Sequence, residues 1–224
     1  MVINMAHQKI ELHKYSLAEE LISSISHGVG TGLAIAALVV GVVLSVLYND
    51  VLCVVSVAIY GGTLVILYLM STIYHGLRPN NAKRVFRVID HCSVFLLIAG
   101  TYTPFTLVAL RGPLGWSIFG VVWGSAALGI ALNAINMKRF SKFSMICYIA
   151  MGWAIVFASL PLYKQIGFGG MSLLLIGGVA YTIGAVLYGI GKKKKYIHSV
   201  WHFFVLAGSI FNYFSILFYV ILGK

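Results

Sequence analysis

Tyr196-Ile-His-Ser-Val-Trp-His-Phe-Phe-Val-Leu-Ala-Gly-Ser-Ile-Phe-Asn212 opens an apolar run that reaches almost to the C-terminus, with His198 and His202 four residues apart at its start. On a helix that spacing stacks both imidazoles on one face, about a turn apart. Lys192 to Lys195 precede the run and mark where a membrane surface is expected. An imidazole inside an apolar helix is costly unless it has a partner, so such residues are candidate functional sites. The reading then turns on whether other helices bring partners to the same depth.

The remaining sequence repeats the apolar pattern. Hydrophobic residues make up 60% of the 224 positions and charged residues only 9%, against about a quarter charged in soluble domains. The apolar residues fall in runs of about twenty, the length that crosses a bilayer core. Seven spans are expected, at about 23–47, 51–75, 88–109, 114–134, 142–161, 169–190 and 197–221. The fold class is therefore all-α, a polytopic seven-transmembrane-helix bundle over 23–221, with residues 1–22 as a cytoplasmic N-terminal arm. The arm has no apolar h-region, so no cleavable signal peptide is expected. Cys53, Cys92 and Cys147 are scattered and odd in number, which implies no disulfide framework.

Thirteen of the sixteen Lys and Arg fall on one side of the expected bundle: Lys9, Lys14, Arg78, Lys83, Arg84, Arg87, Lys138, Arg139, Lys142 and Lys192 to Lys195. The positive-inside rule then puts the N-terminus in the cytoplasm and the C-terminus outside. The net charge of +11 follows from this loop bias and does not imply nucleic acid. Two familiar seven-helix classes are excluded. Every lysine lies in a loop, in the arm or at the end of a span, so none is placed to carry retinal, and a G-protein-coupled receptor has the opposite orientation.

Two further features concern packing. Gly28 and Gly32, and Gly120 and Gly124, form small-xxx-small pairs that serve either a homo-oligomer face or close packing inside the bundle; we read them as inside packing. Pro104 removes a backbone hydrogen bond and is expected to kink the third span, leaving residues 99–105 irregular.

The topology brings Ser71 and His75, Asp90, and His198 and His202 to one layer near the cytoplasmic face. Three neutral imidazoles and an open position suit catalytic zinc, with His75, His198 and His202 as ligands. An all-nitrogen set with an open position favours Zn2+ over iron or manganese. Zinc polarises carbonyls and lowers the pKa of a water to about 7. Asp90 is then the general base or an acceptor for that water, and Ser71, one turn from His75, is a hydrogen-bond partner for water or substrate. The plainer alternative is that the histidines anchor helix ends at the interface while Asp90 pairs with Arg87. His91 points about 100° away from Asp90 on a helix and is left out. His27, after Glu19, Glu20 and Ser26, is read as structural, although a supporting role behind the ligands stays open. Asn212 is expected to bond across helices, and His7 and His13 carry no signal.

Glu19-Glu20 with Ser26-His27-Gly28, Ser71-Thr-Ile-Tyr-His75, Asp90-His91 leading into Leu97-Ile-Ala-Gly-Thr-Tyr-Thr-Pro-Phe105, and His198-x-x-x-His202 together resemble the bacterial hemolysin III proteins. That family belongs to the progestin and adipoQ receptor group, which is similar to the alkaline ceramidases. The resemblance spans essentially the whole chain. It implies a seven-helix bundle with a cytoplasmic N-terminus and a zinc held by His75, His198 and His202, with Asp90 and Ser71 around the water. Ser23 departs from the asparagine expected in the first motif.

The leading functional expectation is a zinc-dependent hydrolase of a lipid amide or ester in a bacterial plasma membrane, with a membrane lipid as substrate. The second is a non-catalytic, zinc-stapled sensor or regulator of lipid composition and fluidity. The third is a cytolysin, after the family name. The absence of a signal peptide and the continuous apolar surface argue against a secreted pore-former.

Overall fold

The computed structural model describes residue 12, residues 15–191 and residues 194–224. Lys9, Lys14, Lys192 and Lys193, whose charges entered the topology reading, lie outside them, as do His7 and His13. Among the described residues every regular element is helical: α1 (Leu17–Tyr48), α2 (Val51–Gly76), α3 (Asn81–Pro104), α4 (Gly112–Trp153), α5 (Ser159–Gly191) and α6 (Ile197–Ser215). A π-helical stretch, Phe105–Leu110, continues α3, another, Ile216–Ile221, continues α6, and a 3-10 stretch, Ala154–Ala158, joins α4 to α5. Five helical stretches are long and apolar enough to cross a membrane: Leu17–Tyr48, Val51–Gly76, Asn81–Leu110, Gly112–Gly189 and Ile197–Ile221.

The fourth of these, 78 residues long, covers three of the expected spans. The loops expected at 135–141 and 162–168 are not there as loops. Each is reduced to one residue with non-helical dihedrals, Asn136 (φ −158°, ψ 86°) and Gly167 (φ +63°). The residues after Asn136 are all compatible with a helix, so it resumes at once. Asn136 Oδ1 accepts from the Arg139 amide at 3.0 Å, the bond an N-cap makes. At Gly167 the positive φ needs a residue without Cβ.

Local chemistry also sets the other ends. Ser16 and Glu19 form a capping box: Ser16 Oγ accepts from the Glu19 amide at 3.3 Å, and Glu19 Oε2 accepts from the Ser16 amide at 2.9 Å. That cap starts α1 at Leu17, ahead of the expected membrane entry at 23. Asp50 and Asn80 cap α2 and α3 through the amides of Cys53 and Lys83. The Cys53 amide and the exposed Arg111 guanidinium, 2.6 Å from Asp50 Oδ2, hold the Asp50 carboxyl below its ordinary pKa. Residues 99–104 stay helical, so the irregularity expected there is confined to Phe105. The helix continues through Pro104, and Thr103 and Thr106 hydroxyls donate to the carbonyls of Ala99 and Tyr102. The irregularity comes after the proline, in the π-helical stretch.

Around the bundle α1 packs on α2, α2 on α3, α3 on α4 and α5 on α6, with α1 also meeting α6. The outside is apolar: Leu33, Val39, Val43, Phe157 and Leu160 are all exposed. The inside carries many small and hydroxyl side chains, including Ser45, Ser56, Thr63, Ser93 and Thr103, all buried. This is the reverse of a water-soluble bundle and suits helices packed in lipid. Tyr68 donates to Ser209 Oγ at 2.6 Å, and Tyr181 shares a 2.8 Å hydrogen bond with the same atom, which ties α2 and α5 to α6.

The expected inside packing of the glycine pairs holds only for Gly28, where an added Cβ would lie 3.7 Å from Thr72 Cγ2. Gly32, Gly120 and Gly124 have no atom within 4 Å of that position. The close helix approaches are at other glycines, among them Gly30 against Tyr68 and Gly100 against Thr63. The pattern shows that two small residues share a face but not which way the face looks.

Candidate metal centre

α2 ends one residue after His75, and α6 begins one residue before His198. Glu19 fixes the second of these ends. Its Oε1 accepts from the Tyr196 amide at 2.8 Å, and its backbone carbonyl accepts from Ser199 Oγ at 3.2 Å. Tyr196, at φ 63°, turns the chain into α6 at that point. Ser23 Oγ lies 3.1 Å from Ser199 Oγ, so the residue that departs from the expected asparagine joins α1 to α6 beside His198.

His75, His198 and His202 then converge, each at most 4% exposed. His198 Nε2 is 3.3 Å from His75 Nε2 and 3.3 Å from His202 Nε2. The three histidines offer one ligand atom each, all within 4.8 Å of one another, and form the metal-capable group found among the described residues. Zinc binds imidazole nitrogen at about 2.0–2.1 Å, and two corners of a tetrahedron with that radius are about 3.3–3.4 Å apart. Two of the three edges match that length, and the third pair of ligand atoms lies within 4.8 Å. One proton on His198 Nε2 can serve only one of its two neighbours, so hydrogen bonding alone leaves nitrogen lone pairs facing each other. The donor set fits a metal ion.

Behind the ligands, Glu20 Oε2 lies 2.7 Å from His75 Nδ1. The other carboxylate oxygen accepts from Lys83 Nζ at 2.6 Å, and Lys83 also donates to the Leu77 carbonyl at 2.9 Å. Tyr15, ahead of α1, stacks on the His198 ring with centroids 4.6 Å apart. Its burial pushes the hydroxyl pKa up.

The other expected residues are placed differently. Ser71 is buried one turn before His75, and its Oγ has no hydrogen-bond partner among the described residues. Asp90 is buried but is not part of the metal-capable group; it lines the cavity described below. Its Oδ2 is 3.6 Å from His91 Nδ1, too long for a hydrogen bond. His91 is occupied elsewhere. Its Nδ1 lies 2.8 Å from the Arg87 carbonyl, which makes that nitrogen the donor and leaves Nε2 to accept from Tyr188 OH at 2.9 Å. His27 is closer to the centre than its structural reading implied, with its ring centroid 3.8 Å from that of His202. Asn212 bonds across helices as expected, through its side chain to Tyr181 of α5, while its Oδ1 is buried without a partner among the described residues.

A cavity of about 150 Å³ lies next to the three-histidine group: His75, His198 and His202 do not line it themselves, but His27, whose ring centroid is 3.8 Å from that of His202, does. His27, Asp90 and Trp201 line it at one end, and Phe105, Ile155 and Asn212 also contribute. Its α3 wall runs from Asp90 to Phe105, roughly 22 Å at 1.5 Å per residue. The wall is largely apolar and its polar groups include Asp90 and His27, an arrangement that suits a long apolar molecule with a polar group near the metal site.

Glu20 is the functional candidate that sequence reasoning left without a role. The spacing Glu19-Glu20 before a capped helix start was the available signal, but it does not reveal which of the two faces α2.

Comparison with known proteins agrees with this architecture. A family model described as "Haemolysin-III related" matches residues 15–213. The chain is 41% identical over 203 residues to "Hemolysin-3" of Bacillus cereus, covering 91% of this chain and 92% of that protein. It is 39% identical over 207 residues to "Hemolysin-3 homolog" of Bacillus subtilis (strain 168), covering 92% of this chain and 97% of that protein. A more distant relative is the Homo sapiens "Monocyte to macrophage differentiation factor", 25% identical over 165 residues, or 70% of this chain and 67% of that protein.

Proposed function

Because the chain belongs to the haemolysin-III-related family, and because its three buried imidazoles bring their ligand nitrogens within 4.8 Å of one another, we propose that it is a zinc-dependent hydrolase of a lipid amide or ester. In this reading it is a multi-pass protein of a bacterial plasma membrane. The non-helical dihedrals at Asn136 and Gly167 within the 78-residue stretch support reading it as three spans, for seven in all. The N-terminus is cytoplasmic and the C-terminus outside, following the Lys and Arg distribution.

The observation that carries the proposal is the 3.3 Å spacing of the histidine Nε2 atoms beside an apolar cavity with a carboxylate in its wall. Zinc bound by His75, His198 and His202 supplies Lewis acidity to a carbonyl and to water. The cavity holds the acyl chain and excludes water. Asp90, the carboxylate facing that space, takes the proton of the attacking water. Ser71 Oγ, buried and unpartnered, holds the water or a substrate oxygen by a hydrogen bond. The basic inner loops attract anionic head groups.

The non-catalytic reading, a zinc-stapled regulator of membrane lipid composition, is favoured by one observation: Asp90 stands outside the metal-capable group. Asp90→Asn separates the two. Purified protein and its Asp90→Asn variant are offered a panel of lipid amides and esters, with zinc content measured alongside. Hydrolysis by wild type that is lost in the variant at unchanged zinc content supports the enzyme. A wild type that turns over no member of the panel, with its effect on membrane fluidity intact in Asp90→Asn, supports the regulator. Cytolysis, which the name of the Bacillus cereus relative states for that protein, is on this account an effect of altered lipids. Zinc-independent leakage from liposomes would contradict that.

A further inference from the structure

The partly buried ion pair behind His75 has no part in the reaction just outlined, and its geometry aims at one ligand. We propose that Glu20 is a positioning residue for the metal site: it fixes the tautomer of His75 and strengthens that imidazole as a donor, while Lys83 locks the carboxylate in place. This rests on the reading of His75, His198 and His202 as metal ligands.

The argument begins with the hydrogen-bond inventory. An ionised carboxylate accepts only, so the 2.7 Å contact between Glu20 Oε2 and His75 Nδ1 puts the imidazole hydrogen on Nδ1. His75 Nε2 is then a lone pair, and it is the atom 3.3 Å from His198 Nε2. The donor bond and the ligand atom thus lie on opposite sides of one ring, the arrangement in which a carboxylate orients a metal-binding histidine and raises its basicity.

Lys83 explains how the carboxylate can be there. A lone carboxylate in this layer would be strongly disfavoured. Lys83 is 2% exposed. It donates to Glu20 Oε1 and to the Leu77 carbonyl at the end of α2, and its ammonium sits 5.2 Å from the centre of the Tyr74 ring. Its bonds fix Oε1, which leaves Oε2 for His75. Neither oxygen is left to rotate toward water. A pair that served only to staple α1 to α3 would not need to spend its second oxygen on the one ligand that α2 supplies. His202 has no comparable support, since its Nδ1 has no hydrogen-bond partner among the described residues.

The test is zinc affinity of the purified full-length protein, stripped with a chelator and titrated against a chromophoric competitor, for wild type, Glu20→Gln and Glu20→Ala. Melting of the metal-free forms is recorded in parallel. Loss of an outer partner of this kind weakens metal binding on the order of 10–100-fold. We expect that loss in Glu20→Ala. Glu20→Gln keeps an acceptor for Nδ1 but not the charge, so a smaller drop is expected, and it carries the test if Glu20→Ala does not fold. Zinc affinity within about two-fold of wild type in the folded variants, with lowered melting of the metal-free forms, would reduce Glu20 to a helix staple and overturn the inference. Wild-type protein that binds no zinc would overturn the metal reading itself, a distinct result.

Discussion

Gly100 on α3 faces Thr63 on α2, and replacing it by alanine tests whether the helices that carry Asp90 and His75 are packed as closely as described. A Cβ at position 100 would fall on Thr63 Oγ1 and lie 2.9 Å from Thr63 Cβ and Cγ2, where carbon atoms normally pack about 3.5–4.0 Å apart. Thr63 cannot swing aside without losing its 2.7 Å hydrogen bond to the Tyr60 carbonyl. Overpacking of this kind costs about 1–3 kcal/mol. Alanine in a helix returns about 0.5–1 kcal/mol relative to glycine, so the net cost is roughly 0–2.5 kcal/mol, centred on about 1.3 kcal/mol. At about 2–4 °C per kcal/mol for a chain of this size, the variant should melt about 4 °C below wild type. Gly62→Ala is the control, since no atom lies within 4 Å of its added Cβ; it should melt at or slightly above wild type. Unfolding in detergent can be followed with a thiol-reactive fluorophore, because Cys53 is free and fully buried. Gly100→Ala melting at or above wild type, or Gly62→Ala falling as far, would refute the packing argument.

Two other predictions address the stretch that departs from simple helices and the orientation of the bundle. Tyr102 OH donates to the Gly152 carbonyl at 3.0 Å and accepts from the Ile155 amide at 2.8 Å; Tyr102→Phe leaves that buried amide unpaired and should cost about 1–3 kcal/mol, read as a lower melting temperature, whereas an unchanged one would mean that the amide finds another acceptor. A reporter active only outside the cytoplasm, fused after Lys224, should be active, and a cytoplasm-only fluorescent reporter at the same site should be dark; the opposite pair would invert the topology.

The three-histidine group was legible because its spacing and its depth are both one-dimensional properties. His198 and His202 share a helix face by a spacing of four, and the order of apolar runs alone sends His75 to the same layer. Asp90, expected as the base or water partner and not as a ligand, is buried in the wall of the cavity and outside the metal-capable group. Depth along a helix follows from position, whereas the direction of a side chain depends on how the helix is rotated against its neighbours. The same limit hid Glu20, which meets a residue 55 positions away, and it made Gly120 and Gly124 read as inward-facing. The loops between expected spans four to six were misjudged for another reason. Charged and polar residues mark where a helix leaves lipid, but only backbone dihedrals break it, and here Asn136 and Gly167 suffice.

The central claim is that His75, His198 and His202 hold a metal. Elemental analysis of detergent-purified protein, wild type beside His202→Ala, tests it most directly. The account predicts about one zinc per chain in wild type and none in a variant that remains folded. Well-folded wild-type protein free of zinc and other transition metals, and unable to take any up on addition, would contradict it.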